Sequence, residues 1–265
     1  MIRVGIDTGG TNTDVVLIDL KKGNVFSTKT ATTTNNLLEG IARGIEKITG
    51  IADVQCQDIK ELIYGTTIVV NMIAQKEAEA TALITTKGFR DILSIGRAYR
   101  DKNIYDIYMD QSAPLIPRYL RYEVTERIGF RGDIIEPLLK EEVLNIIDDL
   151  RNKGIRSIAV SLLHSYANPV HEQNIKQIIH QQWPEMYVSL SSEVNPQFRE
   201  YERTSTTVIN AYMQPNMTSH LRDFETMISR NRVIPNLYIM QGNAGVVRFK
   251  AAMKKPVSVA DSGPI

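Results

Sequence analysis

The 265-residue chain carries 31 Lys and Arg against 30 Asp and Glu, a formal charge of +1, and is 43% hydrophobic. That composition excludes a largely disordered chain and supplies no broad positive field for gathering nucleic acid. Cys56 is the only cysteine, which rules out an intrachain disulfide or a thiolate metal cluster, and no run of eighteen apolar residues marks a membrane span, so a cytoplasmic protein is expected.

Met1 to Ile6 leads into a glycine-rich turn, Val15 to Asp19 resumes an apolar run, and Asn24 to Thr30 offers a third short strand. Leu38, Ile41, Ile45 and Ile48 recur at helical spacing, with Asn36 and Glu39 spaced as a capping pair. A strand over Glu61 to Thr67 enters a helix over Val69 to Gln75; Thr81 to Thr86 is the next strand, and Phe89, Ile92 and Ile95 form one side of a short helix. The stretch from Arg97 to Pro137 is rich in aromatics, charges and prolines and is expected to protrude from or cover the first sheet.

Alternation returns with a helix over Lys140 to Asn152, stopped by a left-handed Gly154, and a strand over Ile155 to Leu163. Asn168 caps the next helix with Pro169 in its first turn, and Val170, Ile175, Ile178 and Ile179 face the sheet. Tyr187 to Ser192, Leu237 to Gln241 and Val257 to Ala260 are strand candidates, and a long helix spans Glu200 to Ser229. The expectation is an α/β protein centred on a sheet, with a change of texture near Glu136 to Lys140.

Asp7-Thr8-Gly9-Gly10-Thr11-Asn12-Thr13-Asp14 sets two glycines among small polar side chains between two apolar strands. Such a turn can bring successive backbone amides close to phosphate oxygens. Asp7 is the candidate for holding Mg2+ or its bound water, Asp14 for orienting the loop, and Thr11 and Thr13 for donating to phosphate. The competing reading is a plain β-hairpin whose polar side chains satisfy turn amides. Neither a P-loop nor a dinucleotide-fold glycine spacing is present.

Other polar groups carry weaker signals. His164 and His171 can meet as a metal pair or serve loop structure, one of them pairing with Glu172; His180 is expected to face solvent, and His220 has no companion motif. Glu200, Glu202 and Arg203, with Thr204 to Thr206, orient a substrate carbonyl, bind a carboxylate, or secure adjacent loops at a buried junction.

The turn at Asp7 to Asp14 resembles the first phosphate loop of the actin and sugar-kinase superfamily. A narrower resemblance, to the N-terminal part of the hydantoinase A and 5-oxoprolinase family, rests on separated stretches across the chain. These are Gly65-Thr66-Thr67 with Asn71; Leu83 to Asp91; His164-Ser165-Tyr166 with Asn168-Pro169 and His171-Glu172; and Glu200 to Thr207 with Asn210-Ala211-Tyr212. The resemblance implies an actin-like, ribonuclease H-like lobe with an inserted or capping segment, divided into an N-terminal region over 1–136 and the start of a core region over 137–265. The family's second lobe would follow Asp261-Ser262-Gly263-Pro264, where this chain is expected to be interrupted at Ile265.

The same resemblance implies ATP and Mg2+ as cofactors, a small cyclic amide as substrate and a hydantoinase B-like subunit or fused region as partner. Thr8, Gly9, Gly10, Thr11, Asn12, Thr13 and Asp14 would bind nucleotide. Asp7, Glu202 and Arg203 would be catalytic, with Asp7 at the metal, and Thr66, Thr67 and Asn243 would lie on the substrate side. Relatives commonly carry a Ser and a paired glycine around the Asn of Gln241-Gly242-Asn243-Ala244-Gly245, from which this sequence departs. Subunits of ATP-dependent ketone carboxylases share the architecture, and a nucleotide-responsive scaffold is the non-enzyme alternative.

Overall fold

The computed structural model describes residues 1–33, 36–75, 79–98, 105, 113–230 and 236–260. The chain forms two compact units, one from Met1–Glu77 and Asn216–Ile265, the other from Ala78–Pro215. Glu136 and the residues just after it lie inside the second unit. Part of the stretch from Arg97 to Pro137 and the expected interruption over 261–265 lie outside the described residues.

In chain order the first unit opens with β1 (Ile2–Thr8), β2 (Asn12–Asp19), β3 (Asn24–Ala31), α1 (Leu37–Ala52), β4 (Ile59–Thr66) and α2 (Ile68–Gln75). The second unit holds β5 (Thr81–Thr86), α3 (Ile92–Ile95), β6 (Arg121–Val124), β7 (Arg127–Ile128), β8 (Ile134–Glu136), α4 (Lys140–Asn152), β9 (Ser157–Ser161), α5 (Val170–Gln182), β10 (Tyr187–Leu190) and α6 (Ser191–Val194). The chain passes back to the first unit within α7 (Glu200–Arg230), at Pro215, and ends with β11 (Asn236–Met240), β12 (Val246–Arg248) and α8 (Phe249–Lys254).

The first sheet has the order β12-β11-β4-β1-β2-β3, with β1 parallel to β4 and antiparallel to β2, and β4 parallel to β11. Removing the edge strand β12 leaves the strand order and directions of the expected actin-like, ribonuclease H-like sheet. Its buried face is written in alternating residues: Val4, Ile6, Val15, Leu17, Leu62 and Tyr64 are each at most 3% exposed. On that face α1 comes unusually close, because a Cβ on Gly44 would lie 2.7 Å from Val15 Cγ2 and one on Gly40 3.3 Å from the Ala31 carbonyl. Tyr64 packs against Phe224 of α7 and Phe249 of α8 at ring-centroid distances of 5.0 and 6.5 Å.

The second unit is built on a four-stranded parallel sheet, β10-β9-β5-β6. All residues of β5 and β9 are buried, as expected of central parallel strands. Leu83, Ile84, Ile158 and Val160 meet Val143, Ile147 and Leu150 of α4 and Ile175 and Ile179 of α5 in one core.

Several local expectations need correcting. Within the stretch expected to protrude from or cover the first sheet, residues 121–124 form a strand of the second sheet, where β6 pairs with β5. Asn36 is the N-cap residue of α1, but its side chain makes no capping bond; the Glu39 amide instead reaches the Asn36 carbonyl at 3.1 Å. Pro169 itself occupies the N-cap position of α5, while Asn168 Oδ1 accepts from the Val170 amide at 3.1 Å. Residues 256–259 form a 3-10 turn and not a strand; Pro256 lacks a ladder donor, and i to i+3 bonds such as Ser258 N to Lys255 O at 3.1 Å close the turn. The expected strand after Met186 ends at Leu190, where α6 begins.

Candidate functional site

The end of β1 is the structural centre of the site. β1 pairs with β2 in register, Asp7 opposite Asp14 and Thr8 opposite Thr13, so the acidic pair and the threonine pair lie on opposite faces of the hairpin. The Gly9 amide donates to the Asn12 carbonyl at 3.0 Å, which closes the hairpin as the plain structural reading requires. Among the described residues, the Gly10 and Thr11 amides have no such partner. Two successive uncommitted amides are the donor set an anion needs.

The glycines themselves carry a further signal. Neither Gly9 nor Gly10 takes a positive φ, and a Cβ on Gly10 would meet nothing within 4 Å. The fold therefore does not demand glycine at position 10, whereas a ligand approaching the backbone closely would.

On the acidic face, Lys29 reaches Asp14 at 3.2 Å and gives it a counter-ion. Asp7 has a raised carboxyl pKa, first because it is partly desolvated and second because Asp14 faces it. Its parallel neighbour in β4 is Gly65, where a Cβ would stand 3.3 Å from Asp7 Oδ1. A divalent cation would relieve both sources of the shift, and one carboxylate completed by phosphate oxygens and water is a normal Mg2+ environment. Among the described residues no group of three or more His, Cys, Asp or Glu side chains stands ready as an all-protein metal cage.

On the other face, Thr13 is fully buried and its hydroxyl meets Thr32 Oγ1 at 3.0 Å, while Thr32 also reaches the Gly9 carbonyl at 3.0 Å. Thr13 thus braces the turn. Thr8 is 3% exposed, and its hydroxyl makes no hydrogen bond of ordinary geometry, although with Thr66 it is close enough to Tyr64 to temper the rise in the phenol's pKa that burial causes. Burial pushes Tyr64 up to about 12 and His220 down to about 4, and the two meet at 3.1 Å between the phenol oxygen and Nε2. No motif around His220 marks a companion for it; Tyr64, 156 positions away, is that companion.

Thr8, Gly9 and Gly10 form one wall of a cavity of about 440 Å³. Thr32, Leu37, Thr66, Thr67 and Asn216 line other sides. Ile68, Asn71, Met72 and Gln75 complete it from α2, at the i, i+3, i+4, i+7 spacing of a single helical face. Thr66 Oγ1 accepts from the Ile68 amide at 3.2 Å, fixing the start of that helix at the end of β4. Thr66 and Thr67 are thus brought to the cavity, whereas Thr32, Leu37, Met72, Gln75 and Asn216 carried no local signal.

The remaining candidates have other settings. Asn243 is exposed in the β11–β12 turn, where its Oδ1 accepts from the Gly245 amide at 3.1 Å. Glu202 and Arg203 stand at the start of α7 in the second unit. Glu202 pairs with Arg97; Arg203 is 1% exposed and donates to the Gln197 and Leu162 carbonyls, each at 2.9 Å. Those bonds make Arg203 a clamp between loops of that unit.

His171 pairs with Glu126 at 2.7 Å, not with Glu172. Glu172 instead accepts from the Leu162 and Ser192 amides and from the Ser191 and Ser192 hydroxyls. His164 turns to the Ile128 carbonyl, so the two histidines serve separate structural bonds.

Comparison with known proteins agrees with this architecture. The hydantoinase/oxoprolinase N-terminal region matches residues 3–183, and the hydantoinase/oxoprolinase region matches residues 203–265. An uncharacterised protein of Methanocaldococcus jannaschii, MJ0964, is 40% identical over 99% of this chain and 38% of its own length. The caprolactamase subunit alpha of Pseudomonas jessenii is 32% identical over 99% of this chain and 38% of its own length. The acetophenone carboxylase gamma subunit of Aromatoleum aromaticum is 32% identical over 82% of this chain and 32% of its own. The crystal structure of the ATP-dependent caprolactamase from Pseudomonas jessenii superimposes with a TM-score of 0.90 at 31% identity, over 99% of this chain and 38% of that one. This chain thus spans well under half the length of these relatives, and by its sequence and fold it belongs to the hydantoinase/oxoprolinase family.

Proposed function

We propose that the whole protein is an ATP-dependent hydrolase of small cyclic amides, and that this segment supplies its first phosphate loop. The observation that carries the reading is the turn at Gly9-Gly10-Thr11, with free amides and an unforced glycine, set between a partly desolvated carboxylate and a cavity. Likeness across nearly the whole chain to an ATP-dependent caprolactamase supports the same reading.

An amide carbonyl is a poor electrophile, and phosphorylation of its oxygen remedies that. The carbonyl oxygen would bond to the terminal phosphorus as the bond to ADP breaks and ADP leaves with the electron pair. Water then attacks the activated carbon, and the ring nitrogen takes a proton and leaves with the C–N electron pair, so that the ring opens to an acyl phosphate. A second water releases phosphate and the free carboxylate. In this chain the Gly10 and Thr11 amides would hold phosphate oxygens, and Asp7 would position the Mg2+ that offsets their charge. Thr8, Asn12 and Asp14 would shape the loop around them, Thr13 acting by bracing Thr32. Glu202 and Arg203 enter the proposal as residues that organise the second unit. A hydantoinase B-like subunit is the proposed partner, in keeping with relatives named as subunits.

Likeness to an acetophenone carboxylase subunit favours a second reading, in which the activated carbonyl belongs to a ketone and bicarbonate is consumed. The test is ADP formation by the full-length chain with its partner. Under the first reading a cyclic amide stimulates it without bicarbonate, and Asp7→Ala abolishes the stimulation. A strict bicarbonate and ketone requirement would select the second. ADP formation indifferent to any carbonyl compound would leave only a nucleotide-responsive scaffold.

A further inference from the structure

The cavity beside the turn has a chemical character of its own. Its described lining contains hydroxyls (Thr8, Thr66, Thr67), carboxamides (Asn71, Gln75, Asn216) and apolar side chains, and no charged group. Arg43 reaches Thr33 beside the lining residue Thr32, but it already faces Glu39. Strand alternation places the Asp7 and Asp14 carboxylates on the opposite face of the hairpin from Thr8. The end of β1 therefore separates an acidic side, suited to a metal and phosphate, from a neutral polar side.

We infer that this neutral cavity binds the carbonyl compound that accepts phosphate, and that it is built for an uncharged acceptor, a simple lactam or imide, in preference to one bearing a carboxylate such as 5-oxoproline. The inference rests on the ATP-dependent reading above and adds the substrate class. Its size suits a ring of this kind. Hydroxyl and carboxamide groups can pair with both the N–H and the C=O of a lactam, whichever way the ring lies. A carboxylate carried into the same lining would lose water without gaining a cation, which is the costly case. The glycine wall lets the acceptor oxygen approach the phosphate held at the Gly10 and Thr11 amides. Asn71 and Met72 are on the solvent-accessible side of α2, so substrate has an entry path and substitutions there spare the core.

The test uses the full-length protein with its partner subunit and measures ADP release with 2-pyrrolidinone and 5-oxoproline, the same ring without and with a carboxylate. The expected result is a kcat/KM at least about tenfold higher for 2-pyrrolidinone. Met72→Trp, which fills the cavity, should raise the KM for the lactam about tenfold while the KM for ATP changes less than about twofold. Should that variant fail to fold, Asn71→Lys is the second probe: a cation in the lining should shift the ratio toward 5-oxoproline, and an unchanged ratio overturns the assignment. Equal or better use of 5-oxoproline by the unmodified enzyme overturns the neutral-acceptor inference and leaves the ATP-dependent function standing. A Met72→Trp effect on ATP alone would make the cavity part of the nucleotide site and overturn the inference too. Absence of carbonyl-stimulated ADP release with every compound would overturn the proposed function and the inference together.

Discussion

Asp7 Oδ1 lies 3.3 Å from the point where a side chain on Gly65 would place its Cβ. The two residues are direct neighbours in the parallel pairing of β1 and β4, so glycine in one strand makes room for the carboxylate in the other. Gly65 does not have a positive φ, and the strand itself can therefore accept alanine. Gly65→Ala should crowd Asp7 and lower ATP turnover of the complete enzyme by about ten- to a hundredfold, with little change in melting temperature. Unchanged turnover in a folded variant would remove Asp7 from phosphate chemistry or show that its position is uncritical.

The raised pKa of Asp7 also makes a statement about stability. In the range between its ordinary value of 3.8 and its higher folded value, the folded chain binds more protons than the unfolded one. Stability then falls as pH rises through that window, and the charged carboxylate is a liability at neutral pH. Asp7→Asn should consequently unfold at equal or higher denaturant concentration than the parent at pH 7, with the difference narrowing as pH approaches 4, while activity is lost. Because the Asp7 side chain is only partly desolvated and still exposed to solvent, the gain should be small. A clear loss of stability at pH 7 would contradict the electrostatic account.

Much of the fold was legible because the strands and helices that build it alternate in the periods their geometry imposes. Lys140–Asn152 and Thr81–Thr86 were readable to the residue from Val143, Ile147 and Leu150 at helical spacing and from the apolar run Ala82-Leu83-Ile84 flanked by β-branched threonines. The turn at Asp7 to Asp14 was legible as well, since glycines and small polar residues between two apolar runs favour a tight reversal of the chain. What could not be read was long-range. Nothing local distinguishes β6, bounded by aromatic and charged residues, as a strand of the second sheet; its pairing with β5 decides that. The same holds for the Tyr64–His220 contact and for the pairing of Asp7 with Asp14 and of Thr8 with Thr13, which required the β1–β2 register.

That register makes Gly10 a cleaner probe than its sequence setting implies. From sequence alone, a side chain there is expected to damage both the turn and phosphate access. With open space around the Cβ position and no positive φ, Gly10→Ala should fold as well as the parent and gain a few tenths of a kcal/mol from a less flexible unfolded chain. If the Gly10 amide approaches phosphate, the added methyl should still raise the Kd for ATP by about tenfold. Calorimetric titration of the full-length protein with Mg-ATP would measure this, and parent-like affinity would show that phosphate sits elsewhere.

His220 offers the sharpest prediction about pH. It is held between α7 and the first sheet, with Nε2 3.1 Å from the Tyr64 hydroxyl, and burial lowers its pKa from 6.5 to about 4 against the weaker opposing pull of Asp223. Between those two values the unfolded chain is protonated at this position and the folded chain is not. Stability is therefore fully present above about pH 6.5 and declines as pH falls toward 4, by an amount whose upper order is roughly 3 kcal/mol. His220→Gln keeps a polar group able to reach Tyr64 but cannot titrate, so its stability should change less steeply across the same window, even if it is lower at pH 7 from imperfect packing. Denaturant titrations of parent and variant at intervals from about pH 7.5 to about pH 4.5, a range that spans most of the shift, would compare the slopes directly. Tyr64, raised to about 12, stays protonated throughout and cannot supply the difference. The two curves would have to run parallel for the account of His220 as a buried neutral imidazole to fail; a convergence toward low pH, with the parent losing its advantage, is the expected result.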